Sequence, residues 1–405
     1  MVAGSVIAQP GQSAARLKSL ARSRHQIGGE LSVKLLIQPA DGIAPLLAGI
    51  KNARKSIEIV IFRLDLREVE AALKAAVERG VAVQALVAWT SRDGERSLRK
   101  LEQRLLDCGV TVTRTADNLV RYHDKFMIID QRVLYLLAFN YTALDVRHSR
   151  SFGIITRDRQ LVQEALRLFA ADTAHQPFTP ALNNFLVSPL NARQQLAAFL
   201  QGARRQLLIY DNQITDNQMI KILQARATAG VEIRIIGHIG KRSGGLTAQK
   251  LRDLRLHTRI IIRDGHQAFI GSQSLRRNEL DARREVGLIV RDAKVIKGLL
   301  AVFEADWQQI MTAEKQAVSA SDSIETAARI ARQALEAVAS ELPLLFSEVS
   351  EAVILTATEN HLSLPEPAQV QAAVRDTVIE AVREKIREAV TEAVKEAVHR
   401  VRNAA

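Results

Sequence analysis

Two stretches of the chain carry the same three polar residues at the same spacing. In Arg121 to Asp130, His123 is followed two residues on by Lys125 and seven on by Asp130, with Phe126 to Ile129 filling the interval. The second stretch repeats the outline with His257, Arg259 and Asp264 around Ile260 to Ile262. An imidazole can attack phosphorus or move a proton near neutral pH, and a fixed cation beside it can hold non-bridging phosphate oxygens as charge grows on them. Two such pairs brought together can divide the cleavage of a phosphodiester. One His forms a phosphohistidine; the other protonates the leaving oxygen and then activates water or an acceptor alcohol. Neither step requires a metal or another cofactor, and Cys108, the single cysteine, offers no disulfide and no metal cluster.

The apolar runs Phe126 to Ile129 and Val133 to Leu137 read as two buried strands joined at Asp130 and Gln131. On one strand, side chains two apart share a face, so His123 and Lys125 are expected to point the same way. The same parity puts Asp130 and Asp264 off that face, where they are expected to brace strand ends rather than touch substrate.

Strands and helices alternate upstream. Strands are expected at 32–37, 56–62, 81–87 and 110–114, and helices at 43–53, 67–79 and 95–106. The order then restarts. Ala53 and Gly80 precede strand-like runs, as Ala203 and Gly230 do 150 residues later. The two His stretches are 134 apart, so the second copy lacks 16 residues where the first has its 95–106 helix. This predicts an α/β fold of two pseudo-symmetric units, 31–173 and 183–312, after a flexible N-terminal arm, 1–30. A helical C-terminal extension, 313–405, follows. Its helices are expected to break at Pro343 and again at Pro365 and Pro367, and the last, with Val374, Val378 and Val382 on a step of four, is expected to pack on a partner or on itself.

Lys and Arg number 56 against 44 Asp and Glu, a formal charge of +12. That balance favours anionic partners, either nucleic acid or an acidic membrane surface. No run approaches the roughly 18 apolar residues that span a bilayer, and no secretory leader is evident, which places the protein in the cytoplasm, with peripheral contact at the inner membrane face open to it.

The paired His-x-(Lys/Arg)-x4-Asp motifs resemble those of the phospholipase D superfamily over roughly residues 31–312. The resemblance implies two α/β/α sandwich units that share one active site across a pseudo-two-fold interface, with catalysis through a phosphohistidine. It implies His123 as nucleophile and His257 as general acid, with Lys125 and Arg259 as phosphate clamps. The family's Gly-Ser-x-Asn continuation is split here: the second copy keeps Gly271 and Ser272 but has Ser274 at the Asn position, while the first keeps Asn140 but has Leu137 and Ala138 at Gly-Ser. Glu285, 28 residues after His257, fits the acid that holds its own repeat's His; the equivalent after His123 is Ser151. The missing carboxylate implies a weaker, less oriented His123, and argues for the reverse assignment of roles.

The function implied is a metal-independent phosphodiesterase or phosphatidyltransferase acting on phospholipid, phospholipase D or cardiolipin synthase-like. A nuclease on the same site and a non-catalytic anion-binding scaffold are the alternatives. An aromatic content of 4% disfavours single-strand stacking. Arg252, Arg255, Arg263, Arg276, Arg277, Arg283 and Arg284 crowd the second motif, where they form either a phosphate-tracking surface or a solvated basic face.

Overall fold

The computed structural model describes residues 33–90, 95–241, 243–359 and 366–403, so the arm expected at 1–30 lies outside the described residues. Two compact parts separate at Trp307 and Gln308. The larger part holds two lobes.

The first lobe comprises β1 (Lys34–Gln38), α1 (Ala44–Asn52), β2 (Ser56–Ile61), α2 (Arg67–Glu78), β3 (Ala82–Val87), α3 (Glu95–Asp107) and β4 (Thr111–Arg114). It continues with β5 (Arg121–Tyr122), β6 (Phe126–Ile129), β7 (Val133–Leu137), α4 (Ala143–Arg147), β8 (Ser149–Thr156) and α5 (Arg159–Thr173). Its sheet runs β1-β8-β7-β6-β2-β3-β4, antiparallel from β1 to β2 and parallel beyond. The second lobe comprises β9 (Phe185–Ser188), α6 (Ala192–Gln201), β10 (Gln206–Ile214), α7 (Asn217–Thr228), β11 (Glu232–Ile239), β12 (Arg255–Leu256), β13 (Arg259–Arg263), β14 (Gln267–Gly271), α8 (Arg277–Asp281) and β15 (Arg283–Val290). Its sheet runs β11-β10-β13-β14-β15, with β9 antiparallel to β15. Lobe for lobe the orders match, except that α3 and β4 have no described counterpart between β11 and β12, where the sequence is short.

Alternation of apolar residues builds a core in each lobe. Leu36, Ile57, Ile59, Leu73, Val83 and Met127 fill the first; Leu196, Ile209, Leu223, Ile235 and Phe269 fill the second. Gly237 has φ +143, and a Cβ there would lie 1.8 Å from the Asp211 carbonyl oxygen, so glycine lets β11 lie against β10.

The last strand of each lobe accepts a two-residue strand from the other. β5 pairs in parallel with β15, and β12 pairs in parallel with β8. The chain thus leaves its own lobe immediately before each motif histidine and returns immediately after it.

Beyond β15, α9 (Ala293–Glu359) and α10 (Pro367–Asn403) are helical. The break expected at Pro343 does not occur: α9 runs through it. A proline costs a helix one backbone hydrogen bond and a ring clash, about 3 kcal/mol, and the Ala- and Glu-rich flanks favour helix strongly enough to continue. Pro365 lies outside the described residues, and Pro367 opens α10.

Candidate active site

The motif histidines do not sit within strands. β5 ends at Tyr122 and β6 begins at Phe126, so His123, Asp124 and Lys125 form the link between the second lobe's sheet and the first lobe's. This corrects the expectation that His123 and Lys125 share a strand face. Lys125 instead turns its Nζ back to donate to the His123 carbonyl oxygen. His257 occupies the mirror position between β12 and β13. Backbone bonds from the opposite lobe fix both: the His123 N–H donates to the Arg284 carbonyl at 2.8 Å, and the His257 N–H to the Arg150 carbonyl at 3.1 Å.

The carboxylates that hold the rings also come from across the interface. His123 Nδ1 lies 2.9 and 3.0 Å from the two Oε atoms of Glu285, which belongs to the second lobe. His257 Nδ1 lies 3.2 Å from Asp145 Oδ2 in the first, without hydrogen-bond alignment. The assignment of Glu285 to its own repeat's histidine is therefore overturned, and so is the idea that His123 lacks an acid. Ser151, which occupies the first-lobe position equivalent to Glu285, donates its hydroxyl to the His257 carbonyl at 2.7 Å. Asp145 escaped the sequence reading. The signal was present, because Asp145 and Glu279 each stand 22 residues after their repeat's His.

The residues at the split Gly-Ser-x-Asn positions support these acids. Asn140 donates to Asp145 Oδ2 through its backbone N–H and Nδ2, at 2.8 and 2.7 Å. Ser274 donates its N–H to Glu279 at 2.6 Å and accepts from Arg259 Nε at 2.8 Å. Ser272 exchanges backbone and hydroxyl bonds with Val286, beside Glu285. Arg259 Nη2 lies 3.5 Å from Glu279, while its buried Nη1 has no hydrogen-bond partner among the described residues. A buried guanidinium N–H left open in this way suits a phosphate oxygen.

Asp130 and Asp264 stand apart from the rings. Each occupies a hairpin turn whose two central residues have positive φ: Asp130 and Gln131 at 53° and 54°, Asp264 and Gly265 at 53° and 70°. Their carboxylates accept three successive backbone N–H groups, those of Arg54, Lys55 and Ser56 in one lobe and of Arg204, Arg205 and Gln206 in the other. They thereby brace the entry of β2 and β10.

Burial dominates the electrostatics. His123 and His257 are each 7% exposed, whereas Lys125 and Glu285 are essentially enclosed. Burial, then Lys125, Arg259 and His257, push His123 well below the usual histidine range. Burial pushes Glu285 up to about 8, aided by Glu279 and opposed by Lys125 and Arg259. Both shifts oppose the separation of charge in the buried His123–Glu285 pair. His257 is lowered by burial and by Arg259, against the pull of Asp145. Burial lowers Lys125 to about 7, against Glu285. With both Nδ1 atoms turned to carboxylates, each Nε2 remains available for chemistry, and the two cations act on both rings.

The arginine cluster around the second motif is largely committed to the protein itself. Arg255 pairs with Asp145, Arg276 and Arg283 lie near Glu279, and Arg263 binds the Phe199 carbonyl and Gln267. Arg284 is buried on Asp172. Among the described residues, no cluster of three or more His, Cys, Asp or Glu side chains is placed to hold a metal ion, and no helix is long and apolar enough to cross a membrane.

The chain is similar in sequence and fold to known proteins. A family model described as cardiolipin synthase, PLD-like domain matches residues 46–173 and 196–307. The polyphosphate kinase of Vibrio vulnificus (strain YJ016) is 25% identical over 268 residues, which take in 59% of this chain and only 38% of that protein. The mitochondrial cardiolipin hydrolase of Danio rerio is 31% identical over 130 residues, 31% of this chain and 56% of that protein. Two solved structures share the fold. Polyphosphate kinase from Porphyromonas gingivalis has a TM-score of 0.57 at 21% identity, over 74% of this chain and 56% of that one. Phosphatidylserine synthase from Haemophilus influenzae Rd KW20 has a TM-score of 0.53 at 11% identity, over 72% of this chain and 90% of that one. His123 falls in the first matched segment and His257 in the second, and on this match the chain belongs to the phospholipase D superfamily, in the cardiolipin synthase, PLD-like domain family.

Proposed function

We propose that this chain transfers a phosphoryl or phosphatidyl group through a histidine, with a phospholipid phosphodiester as substrate. The observation that carries the reading is the pair of imidazoles, each held at Nδ1 by a carboxylate of the opposite lobe beside Lys125 and Arg259. In the first step His123 Nε2 forms a bond to phosphorus while the bond from phosphorus to the leaving oxygen breaks, and that oxygen takes a proton from His257. In the second step His257 removes a proton from water or an alcohol, whose oxygen displaces His123. Lys125 and Arg259 hold the non-bridging oxygens throughout, and Nη1 of Arg259, without a hydrogen-bond partner among the described residues, serves one of them. Retention of every such group argues against a non-catalytic scaffold, and the inward commitment of the arginine cluster weakens the nuclease reading.

A second reading has its own support. The similarity to V. vulnificus polyphosphate kinase extends over 59% of the chain, against 31% for the cardiolipin hydrolase, which favours a phosphoanhydride chain as the alternative substrate.

The test is to mix the protein with a radiolabelled phospholipid or labelled polyphosphate, quench in alkali to preserve any P–N bond, and map the label. Label on His123 that vanishes in His123→Ala is expected. No label with either substrate, or label on His257, overturns the assignment.

A further inference from the structure

We propose that Asp124, the residue between His123 and Lys125, is a positioning residue that must be uncharged, and that its ionisation loosens the link carrying both catalytic groups. The inference rests on the reading above and gives that site a response to pH.

Asp124 is 2% exposed, and neither of its carboxylate oxygens has a hydrogen-bond partner among the described residues. The cations beside it are turned elsewhere. Arg284 gives Nε and Nη2 to Asp172 at 3.1 and 2.9 Å and Nη1 to the Ser188 carbonyl at 3.2 Å, and Lys125 donates to the His123 carbonyl. A buried charge without a partner is costly, and a group that can give up its charge does so. For Asp124 that means keeping its proton. The second lobe makes the same choice by residue type. Thr258 holds the equivalent place between His257 and Arg259; it is buried, its hydroxyl has no partner among the described residues, and it carries no charge.

The groups that face Asp124 come from both lobes. Asp172 approaches from α5 and Arg284 from β15, Tyr122 and Lys125 flank it on the link, and Tyr141 lies beyond β7. His175 acts in turn on Asp172. Burial, then Asp172, pushes Asp124 up to about 7, against Arg284 and Lys125. Raised above its unfolded value, the carboxyl favours the folded link at low pH, and that contribution is lost as pH rises through about 7. Ionisation sets a second negative charge against one guanidinium. The His123 N–H is bonded to the Arg284 carbonyl, so a charge that draws water to Asp124 acts on the anchor of the catalytic ring.

The experiment compares the full chain with Asp124→Asn, an uncharged isostere, at pH 6 and pH 8.5. Turnover of bis(p-nitrophenyl) phosphate is measured, together with amide hydrogen exchange over residues 121–126. The ratio of variant to wild-type turnover is expected to rise at least about tenfold between the two pH values, because the protonated fraction of Asp124 falls about tenfold per pH unit above its folded value. The wild-type link is expected to exchange faster than the variant's at pH 8.5 and alike at pH 6. Groups that titrate in both chains, Lys125 among them, cancel from the ratio. A ratio that stays flat or falls, or a link that exchanges alike in the two chains at both pH values, overturns the inference, and leaves the catalytic reading standing where a phosphohistidine still forms. In a chain without turnover the exchange comparison decides alone: faster exchange of the wild type at pH 8.5 keeps the role of Asp124 and removes the catalytic reading instead. Should Asp124→Asn fail to fold, Asp124→Thr, with the residue type found at 258, decides by the same two measurements.

Discussion

Glu285 grips Nδ1 of His123 with both carboxylate oxygens, at 2.9 and 3.0 Å, across the boundary between the lobes. Enclosed as it is, this carboxyl is pushed up to about 8 by burial. A folded-state value raised above the ordinary 4.5 stabilises the fold at low pH, and that contribution is lost as pH rises through about 8. Wild-type stability should therefore decline between these limits, and Glu285→Gln should flatten the decline. Activity should move the other way. Losing the acid that orients the proposed nucleophile is expected to cost roughly 10–100-fold in kcat. Thermal unfolding and kcat measured side by side across pH check both halves, and a variant losing stability and activity in parallel would contradict them.

Asp145 serves His257 as the proposed acid, so its removal should be read through the leaving group. Asp145→Asn should cost about 100-fold with an alkoxide leaving group, which needs a proton. A p-nitrophenyl diester, whose leaving group departs unaided, should lose only about threefold. Equal losses on both substrates would remove His257 from the acid role.

Lys125 is pushed down to about 7 by burial, so it is charged below that pH and neutral above. Affinity for a phosphonate monoester, whose single charge does not titrate over this range, should fall as pH rises from 6 to 8. Lys125→Arg should hold its affinity across the same range, because a guanidinium stays charged. A wild-type profile as flat as the variant's would show that Lys125 does not contact the anion.

Asp130 and Asp264 make the same bonds in the two lobes, and the prediction for them concerns stability. Burial opposes their ionisation, yet the backbone N–H groups each accepts hold both carboxyls below the usual range. Their contribution is present above the unfolded value and lost as pH falls through the folded one. Either alanine substitution should cost about 1–2 kcal/mol, the modest figure reflecting partly exposed turns, and should lower the denaturant midpoint. Losses confined to kcat would make them catalytic instead.

The duplication, the strands and the paired motifs were legible because period and spacing are local properties of a chain. Asp130 and Asp264 were legible for the same reason, since a hairpin turn is decided within a few residues. The partners of the histidines were not. Glu285 and His123 are 162 positions apart, and reading each acid against the histidine of its own repeat gave the wrong pairing. β5 and β12 are two residues long, too short to show any period, so the exchange they create left no trace in the pattern. Pro343 misled for the opposite reason: one residue was weighed above the long helix-forming run around it.

The exchange of β5 and β12 makes the two halves of the duplication mutually dependent. Damage to one is felt at the other's imidazole, because the peptide carrying each ring is anchored on foreign ground. Severed into separate polypeptides, neither half could assemble a working centre, though the pair mixed together could restore it.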